Sequence, residues 1–404
     1  MRNLTQDNTQ RRCKMNEVTR LAAAPPVLSR RSLLLAAAAA ACGPPKARGY
    51  RGYCFVANQE SRSVAAIDLT NFRLRRQIPL DDAPSAIIAH PSRLKAYVLA
   101  PGAGTVYEID AVKLAVSRRT PAGGRAMSMA VAAGGDALWI LYRDPAELVE
   151  LPFDSLRPRH RIRLAFPPDG FDIGSTNYAA IASYQARTIT VASLERAAIA
   201  RVIAARDEPS LLRFQQDGAQ IIAGSHPDRA ITIFNAASGK TVVRLPLAIA
   251  PRNFCPDSTG GQLYVTGDGK DAVVIVYPYE TEIGQTILAG HAPGAMAVTL
   301  DESPLLLVAN PDSDRITALD VNTMGKSRIA VVDVGQEPHS IVMTPDNQYA
   351  LVLNRKSGDV AVIRTYSLNQ SGPYKEPLKK PMPVFTMIPV GDAPVAAAVM
   401  PWGT

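Results

Sequence analysis

The sequence has little of the chemistry that metal centres, haem attachment and disulfide frameworks need. It holds 4 Cys and 5 His in 404 residues. It contains no CxxC, CxxCH or HExxH motif, no Cys/His spacing typical of zinc sites, no nucleophile elbow and no phosphate-binding glycine-rich loop. These absences argue against zinc domains, c-type cytochromes, zinc proteases and P-loop enzymes. We therefore expect no metal and no cofactor, and we assign no catalytic residue.

Long apolar runs are also missing. The longest, residues 33–42, has about ten residues, whereas a membrane-spanning helix needs about 20. It follows Ser29-Arg30-Arg31-Ser32 and ends in Ala39-Ala40-Ala41-Cys42, a pattern that resembles a twin-arginine export signal closing in a lipobox. We predict an export signal over residues 1–41, lipidation at Cys42 and a linker over residues 42–52. The ordinary secretory route, soluble export and an intracellular location remain alternatives, and translation could start at Met1 or Met15.

Positive charge outside this leader is modest. The chain has a formal net charge of +8, but residues 1–41 hold seven basic and two acidic residues, which leaves 37 basic and 34 acidic residues beyond them. Nucleic-acid binding needs a clustered basic face. Only the short runs at residues 157–163 and 375–380 are basic, and solvated loops account for both. We therefore expect no nucleic-acid partner.

Most of the chain repeats one pattern of four short apolar runs. The clearest copy is residues 293–335, where runs rich in Val, Ile and Leu alternate with turns rich in Asp, Asn, Ser, Pro and Gly. Copies recur about every 40 residues, starting near residues 84, 125, 170, 209, 251, 293, 338 and 394. Four strands per unit at this period are typical of propeller blades. The sequence predicts an all-β chain with a single β-propeller of four-stranded antiparallel blades over residues 53–404.

The two ends of this domain are incomplete in complementary ways. The first repeat lacks an inner strand, and residues 394–400 form an inner strand with no repeat after it. Pairing them closes the ring and removes sheet edges that promote aggregation. We predict eight blades, with seven as the alternative because residues 125–204 are the most degenerate copies. Residues 367–383 form an insertion between the last two strands of one blade.

Two of the four cysteines lie within the repeats. Cys13 and Cys42 belong to the leader, whereas Cys54 and Cys255 lie on strands of different repeats. We predict two buried thiols at these positions rather than a disulfide.

The repeats resemble a known family. Phe55-Val-Ala-Asn58 and Leu307-Val-Ala-Asn310, with the strand ends at Asp68 and Asp320, resemble the YVTN-type β-propeller repeat family over roughly residues 53–400. This resemblance implies the fold. Relatives include surface-layer and periplasmic proteins, lactonase-like propellers and the haem-d1 domain of nitrite reductases, so the resemblance leaves the function open.

Blade topology predicts where a site would lie. In an antiparallel blade, the loop into the first strand and the turn between the second and third strands share one end, and propellers often bind ligands there. We name this side the loop face. Our candidate binding residues at the channel mouth are Arg125, Ser210, Arg252, His291 and His339, with Asp81 and Asp82 nearby. Further out we expect Asn58, Arg62, Asn310, Asp312, Asp314, Asn354 and Arg355. Arg252 and the two imidazoles could bind an anion or a metal, although turn formation also explains such residues.

Three functional hypotheses follow from these observations. The preferred hypothesis is a monomeric, non-catalytic binding propeller of the bacterial cell envelope, which presents its loop face to a protein, glycan or small ligand. It would lie in the periplasm or at the cell surface and contact the membrane only through the lipid on Cys42. The alternatives are a lactonase-like hydrolase or redox-accessory propeller, for which His339 is the candidate axial haem ligand, and a structural surface-layer component.

Overall fold

The computed structural model describes residues 49–121, 123–300, 304–321, 327–368 and 382–402. The predicted export signal, Cys42 and residues 369–381 of the insertion lie outside these ranges. Within them the regular secondary structure is β-strand, as the repeats predict, apart from two single-turn 3₁₀ helices at Pro311–Ser313 and Thr365–Ser367.

The strands form eight sheets of four. Blade 1 begins with β1 (Gly52–Asn58), β2 (Ser63–Asp68) and β3 (Arg73–Pro79). Blade 2 has β4 (Ala86–Ala89), β5 (Lys95–Ala100), β6 (Thr105–Asp110) and β7 (Ala115–Pro121). Blade 3 has β8 (Arg125–Val131), β9 (Ala137–Asp144), β10 (Glu147–Pro152) and β11 (Arg161–Arg163). Blade 4 has β12 (Gly170–Ile173), β13 (Tyr178–Ser183), β14 (Thr188–Ser193) and β15 (Ala198–Ala204).

The second half of the ring follows the same plan. Blade 5 has β16 (Leu211–Phe214), β17 (Gln220–Ser225), β18 (Ala230–Asn235) and β19 (Thr241–Pro246). Blade 6 has β20 (Ala250–Pro256), β21 (Leu263–Asp268), β22 (Ala272–Tyr277) and β23 (Glu282–Leu288). Blade 7 has β24 (Met296–Val298), β25 (Leu305–Asn310), β26 (Arg315–Asp320) and β27 (Ser327–Asp333). Blade 8 has β28 (Pro338–Met343), β29 (Tyr349–Asn354), β30 (Asp359–Arg364) and β31 (Val384–Pro389).

The last strand, β32 (Pro394–Pro401), closes the ring. It pairs antiparallel with β1, from Gly52 opposite Pro401 to Asn58 opposite Pro394, and becomes the inner strand of blade 1. Each inner strand contacts the inner strands of both neighbouring blades around the full circle. The predicted eight blades and the predicted closure are both confirmed, and residues 125–204 contribute two blades, as predicted.

The core is divided among the contacts between blades. Eight apolar clusters each lie between consecutive blades, such as Phe55 and Val64 of blade 1 against Ile87 and Val98 of blade 2. The central strands are therefore covered on both faces, which explains their unbroken apolar runs. The outer strands face solvent, and five of the seven residues of β3 are exposed in succession.

Both cysteines in the described part of the chain are free, as predicted. Cys54 is fully buried and Cys255 partly buried, and desolvation raises the pKa of each thiol to about 12. Neither thiol is a reactive nucleophile at neutral pH.

Candidate functional site

A β-bulge directs Arg252 out of its inner strand. The partners of β20 pass from Pro251 opposite Gly267 to Asn253 opposite Thr266, which leaves Arg252 as the extra residue. A bulge of this kind turns its side chain away from the regular alternation. Gly267 is required beside it, because an added Cβ atom would lie 1.8 Å from the carbonyl oxygen of Ala250.

The bulged Arg252 reaches a carboxylate on the neighbouring strand. Its Nε lies 2.7 Å from both carboxylate oxygens of Asp268, and its Nη2 lies 2.6 Å from Oδ2. The same Oδ2 lies 2.8 Å from Nε2 of His226, which comes from blade 5. The Arg252 guanidinium, assisted by His226, lowers the pKa of Asp268 to about 2. Two blades are thus linked on the loop face by an Arg–Asp–His chain.

A second His–Asp contact lies on the other side of the same turn. Asp271 accepts a hydrogen bond from the backbone N–H of Ala292 at 3.1 Å, and its other oxygen lies 3.2 Å from Nδ1 of His291. The backbone contact, followed by His291, lowers the pKa of Asp271. Because Ala292 precedes the inner strand of blade 7, this contact fixes the loop into that blade against blade 6.

These groups surround a cavity of about 500 Å³ between blades 6 and 7. That volume is within the range of ordinary small-molecule sites. The cavity is lined by Arg252, Asn253, Gly267, Asp268, Gly269, Lys270, Asp271, Ala292, Pro293 and Gly294. We name it the blade 6–7 pocket. Lys270 makes no ion pair within the part of the chain that the structure describes, so its ammonium group is available to a ligand.

The five predicted binding residues do not lie together in one site. Arg252 lines the blade 6–7 pocket, and His291 joins it through Asp271. Arg125 lines a separate, more open cavity of about 750 Å³ between blades 2 and 3, together with Arg143. The hydroxyl of Ser210 lies 3.5 Å from the carbonyl of Gly224 in its own blade, as that of Ser85 does from Leu99 in blade 2, which indicates a role within the repeat.

His339 occupies the position in blade 8 that Arg252 has in blade 6. It is the bulged residue between Pro338 and Ser340 of β28. Its side chain is exposed, but the surrounding channel wall partly desolvates the ring. This desolvation, with the Arg355 guanidinium acting in the same direction, lowers the pKa of His339. The imidazole is therefore neutral at pH 7.

The asparagines that we placed further out are buried. Asn58, Asn310 and Asn354 end the second strand of their blades with 0%, 1% and 0% exposure. Nδ2 of Asn58 donates to the carbonyl oxygen of Val390, in the segment between blade 8 and β32, at 2.7 Å, and Nδ2 of Asn354 donates to Asp359 of its own blade at 2.7 Å. These residues support the repeat and do not face a ligand.

The other acidic and basic residues of this group have local partners. Asp314 accepts the backbone N–H of Glu337 at 2.9 Å, and Arg355 lies 3.7 Å from Glu337. Asp81 forms an ion pair with Arg119, and Asp82 accepts the backbone N–H groups of Ala83 and Ala103. Arg62 and Asp312 are exposed in their turns.

Sequence reasoning missed four residues around the pocket, namely Asp268, Lys270, Asp271 and His226. Asp268 ends the second strand of blade 6, and the other three lie in turns between second and third strands, the class of turn to which we had assigned Asn58 and Arg355. The run Gly267-Asp268-Gly269-Lys270-Asp271 was the available signal, because it replaces the usual apolar and Asn ending of the second strand with charges between glycines.

The described ranges contain neither a candidate metal-binding cluster nor a candidate membrane-spanning helix. No group of three or more His, Cys, Asp or Glu side chains there is arranged to hold a metal ion. No helix of those ranges has the length and apolar character to cross a bilayer.

Comparisons with known proteins agree on the class. No protein-family model matches the chain. It is 26% identical over 159 residues to the uncharacterized protein YncE of Escherichia coli O157:H7, covering 36% of this chain and 45% of that protein. It is 27% identical over 149 residues to the seven-bladed beta-propeller protein Rv1057 of Mycobacterium tuberculosis (strain ATCC 25618 / H37Rv), covering 36% of this chain and 37% of that protein. The chain spans less than half the length of either curated relative that it matches.

Solved structures give the same fold. Dihydro-heme d1 dehydrogenase NirN in complex with DHE superposes with a TM-score of 0.71 at 16% identity, over 87% of this chain and 76% of that one. Kuenenia stuttgartiensis hydrazine synthase superposes with a TM-score of 0.56 at 18% identity, over 70% of this chain and 95% of that one. The chain is a β-propeller of eight four-stranded blades. The predicted resemblance to YncE-like propeller repeat proteins is confirmed in sequence, and the likeness to NirN confirms the propeller fold.

Proposed function

We propose that this chain is a non-catalytic binding propeller whose blade 6–7 pocket holds a small polar ligand with one anionic group. The observation that carries the proposal is Lys270, a cation at the pocket wall without an ion-pair partner in the described chain. Arg252, by contrast, is neutralised by Asp268. A carboxylate or phosphate of the ligand would form an ion pair with the ammonium group of Lys270. The backbone at Gly267, Gly269 and Gly294 allows hydroxyl groups to approach closely.

A matched set of sugars tests this proposal. Glucuronate and glucose 6-phosphate carry an anionic group on the same ring as neutral glucose, so calorimetric titration of all three isolates the effect of the charge. We expect the charged sugars to bind at least tenfold more tightly than glucose. Lys270→Gln should remove this preference, whereas Arg62→Gln on another turn of the loop face should leave it intact. Equal affinity for the three sugars, or a preference that survives Lys270→Gln, contradicts the proposal.

Export and lipid anchoring through Cys42 are part of the same proposal. The support is the leader described above, with its arginine pair, short apolar run and Ala-Ala-Ala-Cys ending. A lipid on Cys42 would tether the domain without a membrane span. Mass spectrometry of protein from membranes of the producing cells should find an acylated Cys42 at the mature N-terminus, and Cys42→Ser should release the domain to the soluble fraction. An unmodified Cys42 in an intact leader would contradict this part.

A second candidate function is tetrapyrrole binding at the channel mouth. It is favoured by His339, whose neutral imidazole is the form that ligates iron, and by the likeness to a propeller solved in complex with DHE. Among the described residues, we assign only His339 as a ligand to the tetrapyrrole iron. Because the blade 6–7 pocket combines several polar groups, it remains the preferred site. Titration with haemin should then produce a Soret shift that His339→Ala abolishes and His291→Ala does not. A spectrum unaffected by either change would eliminate this candidate.

A further inference from the structure

We propose that the rim of blades 1 to 3, on the side opposite the loop face, is a docking surface for anionic membrane lipids. In sequence, its cations belong to separate short stretches, each of which alone would be a solvated strand or loop. The fold brings three of these stretches together at one rim. This surface is independent of the proposed ligand pocket, and it replaces the expectation from sequence that the chain contacts the membrane only through the lipid on Cys42.

The cations come from the outer parts of three consecutive blades. Exposed basic side chains without an acidic partner in the described chain are, in order, Arg73, Arg75 and Arg76 of blade 1, Lys113 of blade 2 and Arg157 of blade 3. We name these five residues the basic rim. Other cations of these blades, such as Arg118 and Arg159, are neutralised by Glu108 and Glu150. The corresponding part of blade 6 carries exposed acids instead, at Glu280 and Glu282.

Contacts between blades make the basic rim continuous. Nη1 of Arg76 donates to the carbonyl oxygen of Lys113 at 3.4 Å, which joins blade 1 to blade 2. Nη1 of Arg118 donates to the carbonyl oxygen of Asp154 at 2.7 Å, which joins blade 2 to blade 3. The five cations therefore form one charged sector. A sector of this kind attracts an anionic surface, with about 1 kcal/mol for each Lys or Arg close to it.

Apolar side chains within the sector favour a lipid surface over a soluble polyanion. Leu74 lies between Arg73 and Arg75 and is 39% exposed, and Val112 precedes Lys113 and is 75% exposed. Exposed apolar residues next to cations are typical of proteins that rest in the membrane interface. A nucleic acid would gain nothing from Leu74 or Val112, because the phosphate backbone binds through charge.

The path of the chain agrees with this orientation. Gly49, where the described chain begins, lies against the carbonyl groups of Leu69 and Thr70 in the turn between β2 and β3, and Arg73 begins β3 directly after that turn. Gly49 and Arg73 therefore both lie at the end of the strands opposite the loop face, so a membrane that contacts the basic rim would leave the loop face pointing away from it.

Vesicle sedimentation tests the proposal with the full chain carrying Cys42→Ser, which removes the acylation site. Vesicles of phosphatidylcholine alone are compared with vesicles containing three parts phosphatidylglycerol in ten. The rim variant combines Arg73→Gln, Arg75→Gln, Lys113→Gln and Arg157→Gln. The control variant removes four exposed cations of the loop face with Arg62→Gln, Arg206→Gln, Arg229→Gln and Lys356→Gln. Both variants lose the same charge, and equal melting temperatures of the two variants and the parent show that each is folded.

We expect the parent to bind anionic vesicles at least tenfold more tightly than neutral ones in 50 mM salt, and to lose this preference in 500 mM salt. The rim variant should lose the preference at low salt, and the control variant should stay within twofold of the parent. Three results would overturn the proposal: equal binding to both vesicles, an equal loss in both variants, or tighter binding to a 30-base-pair DNA duplex than to anionic vesicles.

Discussion

Arg252 and Asp268 form a two-point contact across the inner pair of strands of blade 6, with Nε 2.7 Å from each carboxylate oxygen. Both side chains remain more than half exposed, at 58% and 52%. An exposed pair contributes little to folding because water screens it. The contact therefore acts mainly on the blade 6–7 pocket, where it holds the two side chains in place and lowers the pKa of Asp268 to about 2.

The first prediction concerns the pKa of Asp268. Arg252→Gln should raise this pKa from about 2 toward its ordinary value of 3.8, with His226 still holding it somewhat low. The free energy of unfolding at pH 7 should change by less than about 1 kcal/mol. Carboxyl-carbon NMR titration measures the pKa, and Arg119→Gln, in the exposed pair with Asp81, is the control. An unchanged pKa in Arg252→Gln would show that the contact is not populated in solution.

The second prediction concerns the buried carboxylate of blade 2. Glu108 is 1% exposed and receives Lys95 at 2.9 Å, the Ser117 hydroxyl at 2.7 Å and the guanidinium of Arg118. Burial by itself would raise its pKa, but these partners lower it to about 2. Glu108→Gln should lower the free energy of unfolding at pH 7 by about 2 to 3 kcal/mol, because two cations lose their partner. Glu60→Gln, at an exposed turn position, should cost less than about 0.5 kcal/mol.

The same carboxylate makes stability sensitive to acid. Its folded-state pKa lies below the unfolded value of 4.5, so its stabilising contribution is complete above about pH 4.5 and is lost as pH falls toward 2. The stability difference between the parent and Glu108→Gln should therefore shrink across that window. Chemical denaturation at several pH values measures it, and a difference that is constant from pH 7 to pH 2.5 would contradict the assignment.

The third prediction uses two glycines with left-handed backbone. Gly290 has φ of +100°, and an added Cβ atom would lie 2.6 Å from Oδ1 of Asn310, whereas Gly123 has φ of +79° with open space around it. Gly123→Ala should cost about 1 to 2 kcal/mol, which is the cost of left-handed backbone alone. Gly290→Ala should cost about 2 kcal/mol more, because the buried Asn310 amide must move. Equal costs in denaturant unfolding would refute the role of Asn310 as the support of this loop.

The fold could be predicted from sequence because each repeat carries the same information. The period of about 40 residues and the incomplete ends at residues 53 and 394 were sufficient for eight blades and their closure. The sequence also contains a signal for the bulges, because the residue after a repeat proline is the bulged residue in both β20 and β28.

The site was harder to predict from sequence, because it depends on which side chains of the neighbouring strand and the neighbouring blade lie next to the bulged residue. Arg252 could be named from its place after Pro251, but its partner Asp268 ends the next strand, and His226 comes from another blade. Asn310 illustrates the opposite error. Its polar side chain predicted exposure, but its amide is buried at 1% and supports the loop of its own blade. Repeat periodicity identifies equivalent positions, and it does not say which of them face solvent.

The last prediction concerns ring closure. Met400 of β32 is 2% exposed and packs in the cluster between blades 1 and 2 with Phe55 and Ile87, although about 340 residues separate it from Phe55 in sequence. Met400→Ala should lower the free energy of unfolding by about 2 to 4 kcal/mol through lost burial and the cavity left behind. Met387→Ala, on the outer strand β31 at 44% exposure, should cost less than about 1 kcal/mol. Because closure also covers the edge of β1, Met400→Ala should aggregate at a lower temperature than Met387→Ala in light-scattering melts. Equal stability and equal aggregation of the two variants would mean that β32 does not close the ring in solution.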